Sequence, residues 1–366
     1  MSVVAADLHQ MRHALRLANR AVGEVAPNPA VGCVIVSSDG LVVGRGWTGR
    51  GGRPHAETVA LAQAGETARG ATAYVTLEPC SHHGQTPPCA ASLIGAGVAR
   101  VVAAVEDPDP RVHGKGFAML REAGVEVVVG ACVKEASEQN AGFFKRVRDG
   151  RPLVTLKIAQ SLDGKTATSS GESRWITGEA ARAYGHLLRA RNDAILIGVG
   201  TALADDPELT CRLPGLGDRS PLRVVLDTRL RLNEWSKLAQ SANETPTLIF
   251  TTADGGGNLI SCGVEVVKVA RDFRGRPDAP AVLAELGRRG ITRLLVEGGA
   301  SVHATFLDRR LADRLEIFCS PTVLGAAGHN GIESLAAMTL GEAPRFRLTG
   351  SRMLGPDLLE SFAAED

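Results

Sequence analysis

The feature that most constrains this chain is an alternation of helical and extended patterns along nearly its whole length, broken once. Leu8, Met11, Leu15, Ala18 and Val22 recur at three- and four-residue steps and so share one face of an amphipathic helix. Apolar runs at residues 30–36 and 41–47, joined by a turn ending in Asp39-Gly40, predict a hairpin. Helices are then predicted at 55–64, 89–95, 116–123 and 132–145, alternating with strands at 73–77, 101–105 and 125–129. At Arg148-Asp149-Gly150-Arg151-Pro152 the pattern stops in a charged Gly/Pro segment. It resumes with strands at 153–158, 194–197, 223–226, 247–250, 264–269 and 293–296 and helices at 178–189, 281–289 and 301–309. Residues 213–220, 254–258 and 272–280 read as surface loops. Alternation of this kind predicts largely parallel sheets covered on both faces. A chain of 366 residues can bury two cores, and the expected domains are 1–147 and 151–366.

Charge narrows the function classes. Lys and Arg number 41 against 40 Asp and Glu, and aromatic residues make up 4%. Binding to nucleic acid or to anionic lipid through bulk charge is therefore not expected. The first twenty residues lack an apolar h-region and no run approaches a membrane span, so a cytoplasmic enzyme of small molecules is expected. Seven cysteines, an odd number, point to metal binding or catalysis rather than a disulfide scaffold.

The sharpest local signal is His55-Ala56-Glu57 followed by Pro79-Cys80 and Cys89. One imidazole and two thiolates make three ligands of the right softness for zinc, with the fourth tetrahedral position left for water. Glu57, two residues from His55, is placed to move a proton from that water to a departing amine without ligating the metal. The two cysteines enclose eight residues where the deaminase signature has two. Two buried thiols and a surface histidine are the competing, purely structural reading.

Residues CSHHGQTPPC, with the upstream PNPAVGCVIV and PHAE, resemble the deaminase half of the bifunctional riboflavin-biosynthesis deaminase–reductases. The resemblance implies a cytidine-deaminase-like three-layer fold and hydrolytic removal of an amino group at C2 of a phosphoribosylated diaminopyrimidinone. It implies His55, Cys80 and Cys89 as zinc ligands, Glu57 as proton shuttle, and Asn28 and His82 as substrate contacts. Asn28, between Pro27 and Pro29, also reads as a turn residue, and His83 and Cys33 read as structural. Two departures concern the substrate phosphate: Gln85 stands where the family has Lys or Arg, and Thr48 where it often has His. Arg50, Arg53 or Lys115 would be the cations to compensate for them.

In the second half no G-x-G-x-x-G follows a strand, which argues against an ordinary Rossmann domain. The better anion cradle is the strand 293–296 running into Glu297-Gly298-Gly299-Ala300-Ser301 and a helix. The ordered segments KIAQSLDGK (157–165), GESRWIT (171–177) and GVGTALADDP (198–207) resemble the reductase half of the same family, which implies a dihydrofolate-reductase-like fold and NADPH. By that resemblance Ser173, Arg189, Leu209, Arg212 and Glu297 contact the substrate. Ala159, Trp175, Thr201, Asp205, Thr228, Gly299, Ala300, Ser301, Val302, His303, Ala304 and Thr305 line the cofactor. Lys157 and Asp205 are the candidates for proton handling, and Thr228 with Arg229 for the cofactor's 2′-phosphate. Bland alternatives are a solvated helix end for Arg189, a turn for Asp205 and ordinary core for Trp175.

The expected protein is thus a cytoplasmic, homo-oligomeric enzyme using Zn2+ and NADPH on phosphoribosyl pyrimidines, with neither nucleic acid nor membrane as partner. The other reading open at this stage is a nucleic-acid-editing deaminase with a binding module. A third keeps the fold and loses the first activity.

Overall fold

A computed structural model describes residues 3–82 and 87–365. The chain separates into two compact units that meet in sequence between Gly150 and Arg151.

In the first unit a five-stranded sheet has the order β2-β1-β3-β4-β5, formed by β1 (Gly32–Val36), β2 (Val42–Trp47), β3 (Thr72–Val75), β4 (Arg100–Ala103) and β5 (Glu126–Val129). Only β3, β4 and β5 run parallel, because the hairpin β1–β2 joins β3 antiparallel. Helices α1 (Ala5–Ala18), α2 (Ala56–Ala64), α3 (Cys89–Gly95) and α4 (Lys115–Glu122) cover it, followed by α5 (Val133–Gln139) and α6 (Ala141–Asp149). The predicted helix 132–145 is these last two helices. Asn140 separates them: its buried side chain accepts from Ala30 N at 2.9 Å and donates to Ala30 O at 3.1 Å. That pair of bonds ties the helix junction to the segment entering β1. Gly44 and Gly46 let α2 lie directly on β2, since a Cβ at either would meet the Ala60 or Ala56 carbonyl oxygen at 2.2 or 2.1 Å. The first turn of α1 is fixed by Asp7, which accepts from Val4 N and is gripped by both terminal nitrogens of Arg100 at 2.7 and 3.0 Å. The Arg100 hydrogen bonds outweigh burial and hold its carboxyl below the usual range.

The second unit is built on a nine-stranded sheet. Its strands are β6 (Leu153–Ser161), β8 (Ala194–Gly198), β9 (Leu222–Leu226), β10 (Thr247–Thr251), β11 (Glu265–Lys268), β12 (Arg293–Gly298), β13 (Arg314–Ser320), β15 (Phe346–Leu354) and β16 (Asp357–Ala364); short β7 (Lys165–Ala167) and β14 (His329–Asn330) pair separately. Helices α7 (Glu179–Ala190), α8 (Val199–Asp205), α9 (Lys237–Gln240), α10 (Gly257–Ser261), α11 (Ala279–Arg288) and α12 (Ala300–Asp308) connect them. The sheet order is β11-β10-β9-β8-β12-β6-β13-β16-β15. The chain steps outward from β8 to β11, then returns to insert β12 between β8 and β6. Such a reversal leaves a crevice at the carboxyl ends of the central strands, where ligands bind in open α/β sheets. Seven strands are parallel, and β16 and β15 add an antiparallel edge. The sequence pattern placed neither this hairpin nor α8. Nearly all of β15 is exposed, so it carries no alternating core signal.

Candidate functional site

In the first unit two helix starts converge. His55 is the N-cap of α2, Glu57 lies in that helix's first turn, and Cys89 opens α3. Cys80 sits in the loop after β3. His55 Nδ1 lies 3.2 Å from Cys89 Sγ and 3.7 Å from Cys80 Sγ, and the three ligand atoms lie within 4.8 Å of one another. Tetrahedral zinc with ordinary Zn–S and Zn–N bonds separates its ligand atoms by about 3.5–3.8 Å, so these residues fit the ion. Among the described residues no other group of three such side chains is gathered this way. Cys89 N donates to Cys80 Sγ at 3.3 Å. The Cys89 thiol, His55 and this N–H together outweigh burial and pull Cys80 down to about 4, which makes it a thiolate. Glu57 is 4% exposed. Burial, then the Cys80 charge, pushes its carboxyl up to about 7, where it exchanges protons near neutrality.

These groups open into a cavity of about 330 Å³ that Asn28, Thr48, Arg53, His55, Glu57, Cys80 and His82 help to line. Asn28 Nδ2 reaches Gly51 O at 3.4 Å, and Gly52 has no room for a Cβ against that amide. Thr48 is buried with its hydroxyl accepting from Val31 N at 2.9 Å, so it serves the backbone. Arg50 and Lys115 do not line the cavity, whereas Arg53 does, together with Arg111 and Arg146, which sequence reasoning missed. Cys33 is core. His83 and Gln85 lie outside the described residues. Sequence reasoning also missed Glu78, two residues before Cys80. Its buried carboxylate accepts from the backbone N–H groups of Asp107, Gly114, Gly116 and Phe117, and so holds the 107–117 segment beside the zinc group.

In the second unit, two connected cavities lie at the carboxyl ends of β6, β8 and β12. One of about 530 Å³ has Ser173, Trp175, Arg189, Leu209, Arg212 and Glu297 in its wall. Another of about 520 Å³ follows Gly198, Gly200 and Thr201 and then residues 298–303. Lys157, Ala159, Ser173, Thr201, Asp205 and Glu297 belong to both. Glu297 is the electrostatic centre. Arg189 holds it with two nitrogens at 2.7 and 2.9 Å, and Lys157 Nζ stands at 3.7 Å. Burial alone would raise the Glu297 carboxyl, yet Arg189 and Lys157 bring it down to about 2. Arg189 is therefore a buried ion partner and not a solvated helix end. Trp175, 69% exposed, is no part of the core. Ala304 and Thr305 do not line the cofactor cavity: Ala304 faces inward and the Thr305 hydroxyl donates to Ser301 O. Nor does Thr228, whose carbonyl accepts from Thr251 and Thr252. His186, Arg174 and Arg182, which the motifs did not single out, stand in the walls.

The second cavity fits a dinucleotide. At Gly198 and Gly299 a Cβ would crowd the Val302 and Thr201 side chains at 2.9 and 3.1 Å, so glycine at both lets the strand ends and helix starts lie close. The N-terminus of α12 faces this space, as an anion requires.

Comparison with known families agrees with both halves. The profile described as cytidine and deoxycytidylate deaminase zinc-binding region matches residues 5–105, and that of the RibD C-terminal domain matches residues 152–359. The chain belongs to the RibD family. It is 42% identical to the RibD protein of Escherichia coli (strain K12) over 368 residues, covering 96% of this chain and 98% of the relative. With the RibD protein of Aquifex aeolicus (strain VF5) the identity is 41%, covering 97% and 98%. The solved Acinetobacter baumannii RibD superposes with a TM-score of 0.90 at 38% identity, covering 99% of both chains. A Thermotoga maritima structure titled a diaminohydroxyphosphoribosylaminopyrimidine deaminase/5-amino-6-(5-phosphoribosylamino)uracil reductase gives 0.87 at 33%, covering 98% and 99%. The protein is accordingly a bifunctional deaminase and reductase of riboflavin biosynthesis, α/β in both halves, with zinc and NADPH as cofactors and small molecules as substrates. No helix among the described residues is long and apolar enough to cross a membrane.

Proposed function

We propose that residues 1–147 deaminate 2,5-diamino-6-(5-phosphoribosylamino)pyrimidin-4-one at C2. Residues 151–366 then reduce the ribosyl group of 5-amino-6-(5-phosphoribosylamino)uracil to ribityl. The observation that carries this is the convergence of His55, Cys80 and Cys89 with a buried Glu57 in one cavity, on a chain whose other unit holds a phosphate-cradling strand end.

His55, Cys80 and Cys89 hold zinc, which when bound supplies a water acidic enough to ionise near neutrality. Glu57 accepts the proton on its carboxylate and delivers it to the departing amine nitrogen. Its raised pKa suits both halves of that transfer. Asn28 offers a donor and an acceptor to the pyrimidine edge, and His82 faces the substrate from the cavity wall.

In the second unit bound NADPH supplies the hydride. Lys157, which borders both cavities, provides the proton consumed as C1′ is reduced, and Asp205 is the second candidate for that role. Glu297 pairs with Lys157 and positions Arg189, while Ser173 and Leu209 shape the substrate wall. Arg212 takes the substrate phosphate, since a guanidinium grips two oxygens together. Ala159, Thr201 and residues 299–303 bound the cofactor, whereas Trp175, expected there from the sequence, stands in the wall of the substrate cavity. The small-molecule cavities, near-neutral charge and low aromatic content support a cytoplasmic enzyme without nucleic-acid or membrane partners, and a homo-oligomer is our reading of its assembly.

The test is metal analysis of the purified protein joined to a product assay with and without NADPH. One zinc per chain, ammonia release without NADPH, and ribityl product only with it are the expected results. Ammonia release that survives complete removal of zinc would sink the first half of this reading.

A further inference from the structure

The two cavities of the reductase unit fix which way NADPH lies. Their shared wall includes Lys157, Ala159, Ser173, Thr201, Asp205 and Glu297, and substrate and nicotinamide meet at the end formed by Lys157, Ala159 and Glu297. The cofactor must then run past the Gly298-Gly299-Ala300 turn, so its adenosine end leaves on the Ser301 side. There the structure offers a cation. Arg276 Nη1 donates to Ser301 Oγ at 3.2 Å, and Ser301 lines the cofactor cavity.

Arg276 is not a mobile surface side chain. Asp272, whose carboxylate is 3% exposed, accepts from the backbone N–H groups of Arg274 and Arg276 at 2.8 Å and holds Arg276 Nε at 3.2 Å. The segment is pinned a second time where Thr252 Oγ1 donates to Gly275 O at 3.4 Å and to Thr228 O at 3.2 Å. The same contacts join the 272–276 turn to the carboxyl ends of β9 and β10 and, through Arg276, to the start of α12. Asp272 occupies one edge of the guanidinium and leaves the other turned toward Ser301. Neither Thr228 nor Arg229 lines the cofactor cavity, and the Arg229 side chain is exposed.

We infer that Arg276, oriented by Asp272 and presented at Ser301, takes the 2′-phosphate of NADPH and selects it over NADH. This rests on the assignment of NADPH to this unit. The phosphate is a dianion where NADH has a hydroxyl, and a planar guanidinium meets it through two N–H groups.

The experiment measures dissociation constants of NADPH and NADH for the full chain, by nucleotide fluorescence, in the wild type and in Arg276→Ala, Arg276→Lys and Arg229→Ala. Arg276→Ala should weaken NADPH about 10- to 100-fold and leave NADH within twofold, as loss of a charge-assisted contact implies. Arg276→Lys should fall between, because it keeps the charge and loses the fork. Arg229→Ala should change the NADPH-to-NADH ratio less than threefold. Unchanged NADH binding and melting temperature show that the variants fold. An NADPH-to-NADH ratio in Arg276→Ala within twofold of wild type, or a ratio that collapses only in Arg229→Ala, overturns the inference. Wild-type protein that binds neither nucleotide overturns it together with the cofactor assignment.

Discussion

The two sites of this chain solve the placement of charge in different ways. In the first unit, the chemistry is gathered by two helix starts and one loop, and three ligand atoms lie within 4.8 Å. In the second, it is spread over three strand ends and held by one buried carboxylate between two cations. A site built on short local motifs needs few long-range contacts to assemble, whereas an ionic network across strands exists only when the whole sheet is in register. The two should therefore fail differently when a single carboxylate is changed.

The largest effect expected is at Glu57. Glu57→Gln removes the proton carrier but leaves His55, Cys80 and Cys89 in place. Deamination should fall about 10²–10⁴-fold or more while zinc content and reduction persist. Ammonia release and metal analysis on the same preparation decide it, and retained deamination would remove Glu57 from the mechanism.

Glu297→Gln probes the opposite architecture. Arg189 and Lys157 would lose their common partner, and uncompensated burial of one member of such a group costs about 3–5 kcal/mol. Reductase kcat/KM should drop about 100-fold, with the melting temperature of the second unit lowered and deamination unchanged. If both activities fall together, the units are not independent and the contrast collapses.

The same contrast sets how legible each site was. His55, Glu57, Cys80 and Cys89 lie within 35 residues and announce their chemistry by type and spacing. Glu78, Asp107 and Arg146 belong to the same cavity but act through contacts that no short window contains. Arg223 is the extreme case. It is fully buried and donates to the carbonyls of Glu208, Leu238 and Thr245 and to Ser241, yet in sequence it is one residue of an apolar strand. The alternation of elements was readable because each helix and strand carries its own period. The split at Asn140, the mixed direction of the first sheet and the exposed β15 were not, because tertiary bonds decide them.

Acid should separate the units by sign. Glu297 is held near 2 because Arg189 and Lys157 overcome burial, against an ordinary value of 4.5. Its folded pKa lies below its unfolded one, so its contribution is complete above pH 4.5 and drains away as the pH falls toward 2. Asp107 is raised from 3.8 to about 6 by burial first, then by Asp109 and Glu78. Its folded pKa lies above its unfolded one, so ionised Asp107 costs stability above pH 6 and that cost fades as the pH falls toward 4. Each effect is on the order of 3 kcal/mol. Scanning calorimetry of the full chain, with NADPH added to mark the second unit's transition, should show the first unit gaining stability from pH 7 to 5. Over that range Glu297 contributes no change, and its loss begins only below pH 4.5. A change between pH 7 and 5 that is the same in Asp107→Asn as in the wild type would contradict the titration assigned to Asp107.

The smallest effect tests a wall rather than a reacting group. Thr48 spends its hydroxyl on the Val31 N–H, so the cation for the deaminase substrate's phosphate must come from elsewhere. Arg53, Arg111 and Arg146 all line the cavity that holds the zinc group, and Arg53 is the one nearest in sequence to His55. Arg50 lies outside the cavity, 3.8 Å from Glu24 with a side chain 61% exposed. Arg53→Ala should raise the deaminase KM about tenfold with kcat nearly unchanged, the pattern of a lost ground-state contact. Arg50→Ala should leave both within about twofold, as an exposed ion pair contributes little. Equal effects from the two arginines would mean that diffuse charge, and not a placed guanidinium, holds the phosphate in the first unit.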